Sequence, residues 1–374
     1  MQSFGLWYKK LEGINAHDKK ETDASEQVEF SAHINFWFLE DISAIDNKNS
    51  IREPYIDIGL KIKNYKCIDS ITLHCPFELA EENIEDLSPK MSTKNNATMI
   101  FNDDCEIETI NSYTCVKFPD GSNLLIFLMD QIIEETYCIE QIDGKSNVVL
   151  NFKDFHTYIE TLDGLKEIDD LYIRFRIKDV VLKDKIYFDS EPLNKSFESA
   201  FSGTRVLDFK INEKRNISER LQAKMVVDGK KWVEFSKIHF LVMEPSSYDL
   251  TSFSNYDMSC RELEENMWDD YLNAHIDFTK GHVLAYHWKA SGKKGENEEF
   301  KRLKDFSCFA KINYSKMRYI TLFSYVLMAI ALGVLGDSFA TLIGAFPEPS
   351  TSEWLYQFLG GIGIFGAGWL FGKI

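Results

Sequence analysis

Residues 28–38 read VEFSAHINFWF, and the apolar members Val28, Phe30, Ala32, Ile34, Phe36 and Phe38 occupy alternate positions. Successive side chains of a strand point to opposite faces, so this spacing predicts a β-strand with one apolar face. The same phase recurs at Ile56, Ile58, Leu60 and Ile62, at Ile173, Phe175 and Ile177, and at Leu207, Phe209 and Ile211. Further strands are expected over 68–75, 98–102, 112–118, 124–129, 147–152, 232–243 and 282–288, with PDGSN at 119–123 turning a hairpin. Helical spacing joins Phe155, Tyr158, Ile159 and Leu162 ahead of Gly164. A second helix is expected from Ser190 through Leu193, Phe197, Ala200 and Phe201 to Gly203. A third should follow a capping box at 259–262, SCRE, ahead of Leu263, Met267, Tyr271 and Leu272. YIDIGLK at 55–61 is echoed by YIRFRIK at 172–178. That echo fits two tandem β-rich domains meeting near 142–150, with chance likeness between amphipathic strands as its rival. The expected fold is therefore mainly β (α+β), with β-sandwich-like domains at 1–145 and 146–300.

Charge divides the 374-residue chain unevenly. It holds 42 Lys/Arg against 59 Asp/Glu, a formal net charge of −17. Nucleic-acid binding needs an excess of cations to displace counterions, so no direct nucleic-acid partner is expected. Residues 301–374 nevertheless hold seven Lys/Arg and four Asp/Glu, which confines the acidity to the upstream body. The opening MQSFGLWYKK has no long apolar run of the kind a secretory signal carries. The seven cysteines are odd in number and form no CxxC pair, so a cytosolic body with reduced thiols is expected.

The tail has a different character. YITLFSYVLMAIALGVLG at 319–336 carries no charge, and Asp337 and SFATLIGAF follow it. Pro347 and Pro349 mark a turn, after which WLYQFLGGIGIFGAGWLFG at 354–372 is again uncharged. Crossing a hydrocarbon core of about 30 Å takes roughly 20 helical residues. Two transmembrane helices, at about 319–343 and 354–372, are therefore expected to form a hairpin in the lipid bilayer. Lys301, Arg302, Lys304, Lys311, Lys316 and Arg318 precede the first span, Lys373 follows the second, and the turn carries no basic residue. The positive-inside rule then makes 301–318 a basic juxtamembrane segment of a multi-pass inner-membrane protein with both termini cytoplasmic. Gly363 with Ala367, and Gly368 with Gly372, form small-xxx-small pairs that pack either the two helices or separate protomers; a homo-oligomer is expected. Asp337 falls about 27 Å along the first helix, at the far interface or lining a pore.

Motifs for chemistry are missing. Eight histidines, at 17, 33, 74, 156, 239, 275, 282 and 287, give no HExxH or zinc spacing, and no GxSxG or GxxxxGK[ST] occurs. No catalytic residue, metal ligand or cofactor is assigned. Arg174, Arg176 and Lys178 alternate with an apolar strand face, and Lys183 and Lys185 follow. Such a basic stripe reads either as a solvated face balanced by acidic neighbours or as a docking patch for an anion: a nucleotide signal, a lipid headgroup or an acidic protein. In layout the chain resembles bacterial anti-phage effectors, in which a cytosolic sensor module is fused to two membrane helices. The resemblance covers the layout and the 74-residue tail and transfers no residue roles. It implies a body that senses a ligand or partner and a hairpin that oligomerises to perturb the membrane or form a pore. A static membrane scaffold and a membrane-tethered enzyme are the two other readings.

Overall fold

A computed structural model describes residues 2–11, 27–39, 54–129, 137–178, 182–190, 202–274, 276, 281–294, 300–315, 319–344 and 351–371. It is mainly β, with several sheets and a C-terminal pair of packed helices. The largest sheet has ten strands. Its order is β17 (Asp257–Glu262), β18 (Val283–Ser291), β15 (Phe235–Pro245), β2 (Glu29–Trp37), β3 (Tyr55–Lys63), β11 (Asp170–Ile177), β8 (Asn123–Ile126), β7 (Tyr113–Lys117) and β6 (Glu106–Ile110), with β5 (Ile84–Asp86) also paired to β11. A second sheet runs β14 (Lys231–Trp232), β1 (Gly5–Lys10), β4 (Ile68–Cys75), β10 (Lys145–Asn151) and β9 (Tyr137–Ile142). A third runs β12 (Tyr187–Ser190), β13 (Ser202–Ile211), β21 (Phe306–Ser315) and β16 (Asp249–Ser252). β19 (Lys293–Lys294) and β20 (Phe300–Lys301) form a short ribbon.

The expected boundary near 142–150 does not divide this fold. β2 and β3 pair with β15 and β11, and β4 pairs with β10, so ladder bonds cross it repeatedly. Two compact units result, one of residues 1–188 with 206–312 and the other of 189–205 with 313–374. The two echoing segments turn out to be neighbours: β3 and β11 are antiparallel partners, with Arg176 opposite Asp57 and Arg174 opposite Gly59. Adjacent central strands face the same surroundings on both sides, which accounts for their likeness without a repeated domain.

The apolar phase read from the sequence forms the core. Phe36, Ile56, Ile58, Ile173, Phe175, Phe240 and Val242 are buried. Phe240 stacks on Phe209 with ring centroids 4.8 Å apart and lies 5.8 Å from Phe306, so the large sheet packs face to face on β13 and β21. The hairpin at 119–123 forms as expected, with Gly121 at φ +85°. α2 (Lys153–Glu160) also forms, its Phe155 and Ile159 buried.

Other local readings differ. Residues 98–102 lie in and just after a helix, α1 (Lys94–Phe101), because the Thr93 hydroxyl caps its start and Asn102 ends it in the left-handed region. The SCRE segment is strand β17, zipped to β18, and only α4 (Asp269–Leu272) is helical beyond it. α3 (Glu219–Val227), capped by Ser218, buries Leu221 and Met225 beside Trp7. Gly203 lies in β13, and the helix expected over 193–201 falls outside the described residues.

In the second unit, α5 (Tyr319–Gly344) is 26 residues and α6 (Thr351–Phe371) is 21. α5 is long and apolar enough to cross a membrane over Leu322–Ala340, and α6 has a shorter apolar stretch, Leu355–Leu370. Gly361 and Gly368 lie against α5: a Cβ on Gly361 would sit 2.8 Å from Leu335, and one on Gly368 3.0 Å from Met328. Ser324 Oγ donates to the Gly368 carbonyl at 2.5 Å. Gly363 faces open space, and Ala367 is half-buried. Gly368 thus serves packing within the hairpin, one of the two roles expected of it. Asp337 is exposed, with seven helical residues beyond it. Lys316, Arg318, Pro347, Pro349, Gly372 and Lys373 lie outside the described residues.

Candidate functional site

The strands that bury Phe36, Ile58 and Phe175 on one face must present their alternate residues on the other. Register aligns those residues into a row. Lys289 of β18 lies opposite His239 of β15, which pairs with His33 of β2; His33 lies opposite Gly59, and Gly59 opposite Arg174 of β11. One step along, Asn35 faces Asp57, and Asp57 faces Arg176. This polar face is covered rather than solvated. α1 and the segment around α4 lie over it, and Lys90 holds that segment by donating to the Asp270 carbonyl and Asn273 Oδ1, each at 2.5 Å.

Beneath this cover Arg174 and Arg176 are buried, not arrayed on an open stripe. Asp57, itself fully buried, takes Arg176 in a fork, from Nε at 2.6 Å and Nη2 at 3.1 Å. Trp37 Nε1 donates to Asp57 Oδ2 at 2.9 Å and Tyr271 Oη does so at 2.8 Å. Arg174 reaches that carboxylate only at 3.9 Å. Its close partners are neutral: Tyr271 Oη at 2.6 Å, Tyr172 Oη at 2.9 Å and, with the amide oriented by this network, Asn35 Oδ1 at 3.1 Å. Burial drives the Tyr271 hydroxyl well above its ordinary 10, so it remains a phenol able to accept from Arg174 and donate to Asp57. Gly59 makes room for this arrangement, since a Cβ there would lie 2.2 Å from Tyr172 Oη. Lys178 is apart, paired with Glu85 at 2.7 Å, and Lys183 and Lys185 lie in an exposed stretch before β12.

The polar chain continues from Tyr172. Its hydroxyl, accepting from Arg174, faces His33 Nδ1 at 3.4 Å. The His33 and His239 rings meet edge-on at 5.2 Å, and His239 Nδ1 is 2.9 Å from His287 Nε2. Burial, then the neighbouring His239, Arg174 and lysines, holds His33 well below its ordinary 6.5. His239 is lowered to about 4 by burial and then by His287, and burial with Lys289 and Arg261 lowers His287. All three are neutral imidazoles at pH 7, each with one donor and one acceptor nitrogen. Stacked and edge-on rings do not converge on a point, and among the described residues no three His, Cys, Asp or Glu form a metal-holding group.

These groups floor a cavity of about 470 Å³. α1 contributes Met99, Ile100 and Phe101, and the opposite wall is Ser259, Cys260, Leu263 and Trp268. Burial raises the Cys260 thiol, which argues against a reactive thiolate. No lining Ser or Cys among the described residues bonds one of the histidines. A polar floor under apolar and aromatic walls is the composition of a small-ligand site.

Of the five basic residues read from the sequence, only Arg174 reaches this cavity. His33, His239 and His287 were missed, although each carries a signal: it sits at the non-core phase of an apolar strand, as in Ala32-His33-Ile34 and Ile238-His239-Phe240. No protein-family model matches the chain, and no curated protein matches it.

Proposed function

We propose that the chain is a membrane-anchored sensor. Its β body recognises a ligand on the cytoplasmic side, and the α5–α6 hairpin carries that event into the inner membrane, assembling with further copies to perturb the bilayer or open a pore. Defence against phage is the setting its layout fits.

The observation that carries this reading is the inverted polarity of the helix pair. Leu322, Phe323, Val326, Ile330, Leu332, Phe339, Leu359 and Phe365 are exposed, whereas the polar Ser324 and Ser338 are buried. A water-soluble pair hides its apolar side chains; lipid is the solvent in which this distribution is stable. The basic residues upstream of α5 favour the cytoplasmic placement of the body.

The test compares cells expressing the full chain with cells expressing a variant ended after Ser315. The full chain should stay in the membrane fraction through an alkaline carbonate wash and collapse the membrane potential once activated. The shortened variant should do neither. A full chain recovered in the aqueous fraction would overturn the membrane reading, and one that stays bound without ever depolarising cells would leave a scaffold.

A further inference from the structure

We propose that the cavity on the polar face of the large sheet is the sensor's recognition site and takes a small organic anion: a phosphate or carboxylate borne on a flat apolar body. The proposal rests on the sensor reading above and supplies the chemistry of its ligand.

The first argument is charge. Of 374 residues, 59 are acidic, yet none of the eighteen described residues lining the cavity is Asp or Glu. Arg174, Arg261, Lys289 and the three histidines all take part in the lining. Arg261 is matched at the rim by Glu264, and Lys289 has Asp257 opposite it on β17. Arg174 is the deeper case. The Asp57 carboxylate lies between two buried guanidiniums: Arg176 holds the fork and has Glu85 at 3.9 Å as well, while Arg174 stands 3.9 Å from Asp57 with neutral close partners. A buried cation without a close counter-ion is unfavourable, and an anion entering beside it would relieve that state. The neutral histidines add N–H donors that can turn towards such an anion without adding a buried charge in its absence.

The second argument is shape. Above the polar floor the walls are apolar and aromatic, with Phe101, Ile100, Leu263 and Trp268. A volume of about 470 Å³ falls within the range of sites for small organic ligands and exceeds what a bare inorganic anion would fill. One end of the ligand should therefore be charged and the rest flat and apolar.

Calorimetric titration of the full chain in phosphatidylcholine nanodiscs, with empty nanodiscs subtracted, tests this with three probes. 1-Naphthyl phosphate carries both features, 1-naphthol only the rings and inorganic phosphate only the charge. Saturable binding is expected for 1-naphthyl phosphate, at least tenfold tighter than for either other probe. Ile100→Trp, which fills the cavity, should abolish it. Lys289→Gln, an exposed change that the fold will tolerate, should weaken it several-fold. No saturable binding of 1-naphthyl phosphate, equal affinity for 1-naphthol, or binding unchanged by Ile100→Trp would each overturn the proposal. The outcome is independent of the depolarisation assay: binding without depolarisation sinks the effector reading and keeps the site, and depolarisation without binding does the reverse.

Discussion

Asp57 shows how much of this protein turns on one side chain. It accepts from Trp37, Arg176 and Tyr271 and is the nearest carboxylate to Arg174. Asp57→Asn would leave two buried guanidiniums without it, and losing one partner of a buried ion pair costs about 3–5 kcal/mol. Urea unfolding should show a loss of that order, and Asp57→Asn with Arg176→Met should be less destabilised than Asp57→Asn alone. The histidines make a second prediction. Burial lowers His239 to about 4, and it lowers His74 to about 4 against the opposing hydrogen bond to Asn147. Unfolded histidines titrate near 6.5. Between those values the unfolded chain binds more protons than the folded one, so stability declines as pH falls from about 6.5 towards 4 and is insensitive to these groups above that window. Scanning calorimetry at fixed ionic strength should find Tm several degrees lower at pH 5 than at pH 7, with a smaller drop in His239→Gln. A flat Tm across the window would contradict the burial argument.

Among the elements, the helix pair was the most legible. A long uncharged run has few alternatives to a helix, and α5 begins at Tyr319 and ends within a residue of where the sequence placed it. Composition did not say which glycines touch α5, since that depends on the rotation of α6 about its own axis. Gly361 and Gly368 face α5, and Gly363 does not. Gly368→Leu should therefore drive the helices apart, read as a longer α5–α6 distance between spin labels, whereas Gly363→Leu should leave that distance unchanged. Short elements were harder. Residues 98–102 contain too few apolar positions to reveal a period, and the cap at Thr93 settles α1 as a helix. The SCRE pattern has capping-box chemistry, but pairing along β18 holds it extended. The cap of α3 is a local signal: Ser218 stands just ahead of Leu221 and Met225, and its side chain accepts from the Leu221 N–H.

At the scale of the molecule, tandem domains are replaced by sheets woven from both halves of the chain. Fragments 1–145 and 146–300 should each fail to fold alone, because β2, β3 and β4 would lose their partners β15, β11 and β10. Circular dichroism and proteolysis of the separate fragments should find no cooperative unfolding in either, and one fragment folding by itself would restore the tandem arrangement. The cavity belongs to the same scale, since its histidines come from β2, β15 and β18, more than 250 residues apart at the extremes.

Period and charge are local properties, so the sequence alone was enough to determine a mainly β body, its apolar strand faces and an apolar helix pair at the end of the chain. Burial of Arg174 and Arg176, the row of three histidines and the absence of a boundary near 145 were decided by tertiary structure. A strand carries no signal for which strand lies beside it or what will cover its second face. Those follow from long-range pairing, and here the pairing buried two residues of an apparently solvated basic stripe, Arg174 and Arg176, and brought Arg174 to the wall of a covered pocket.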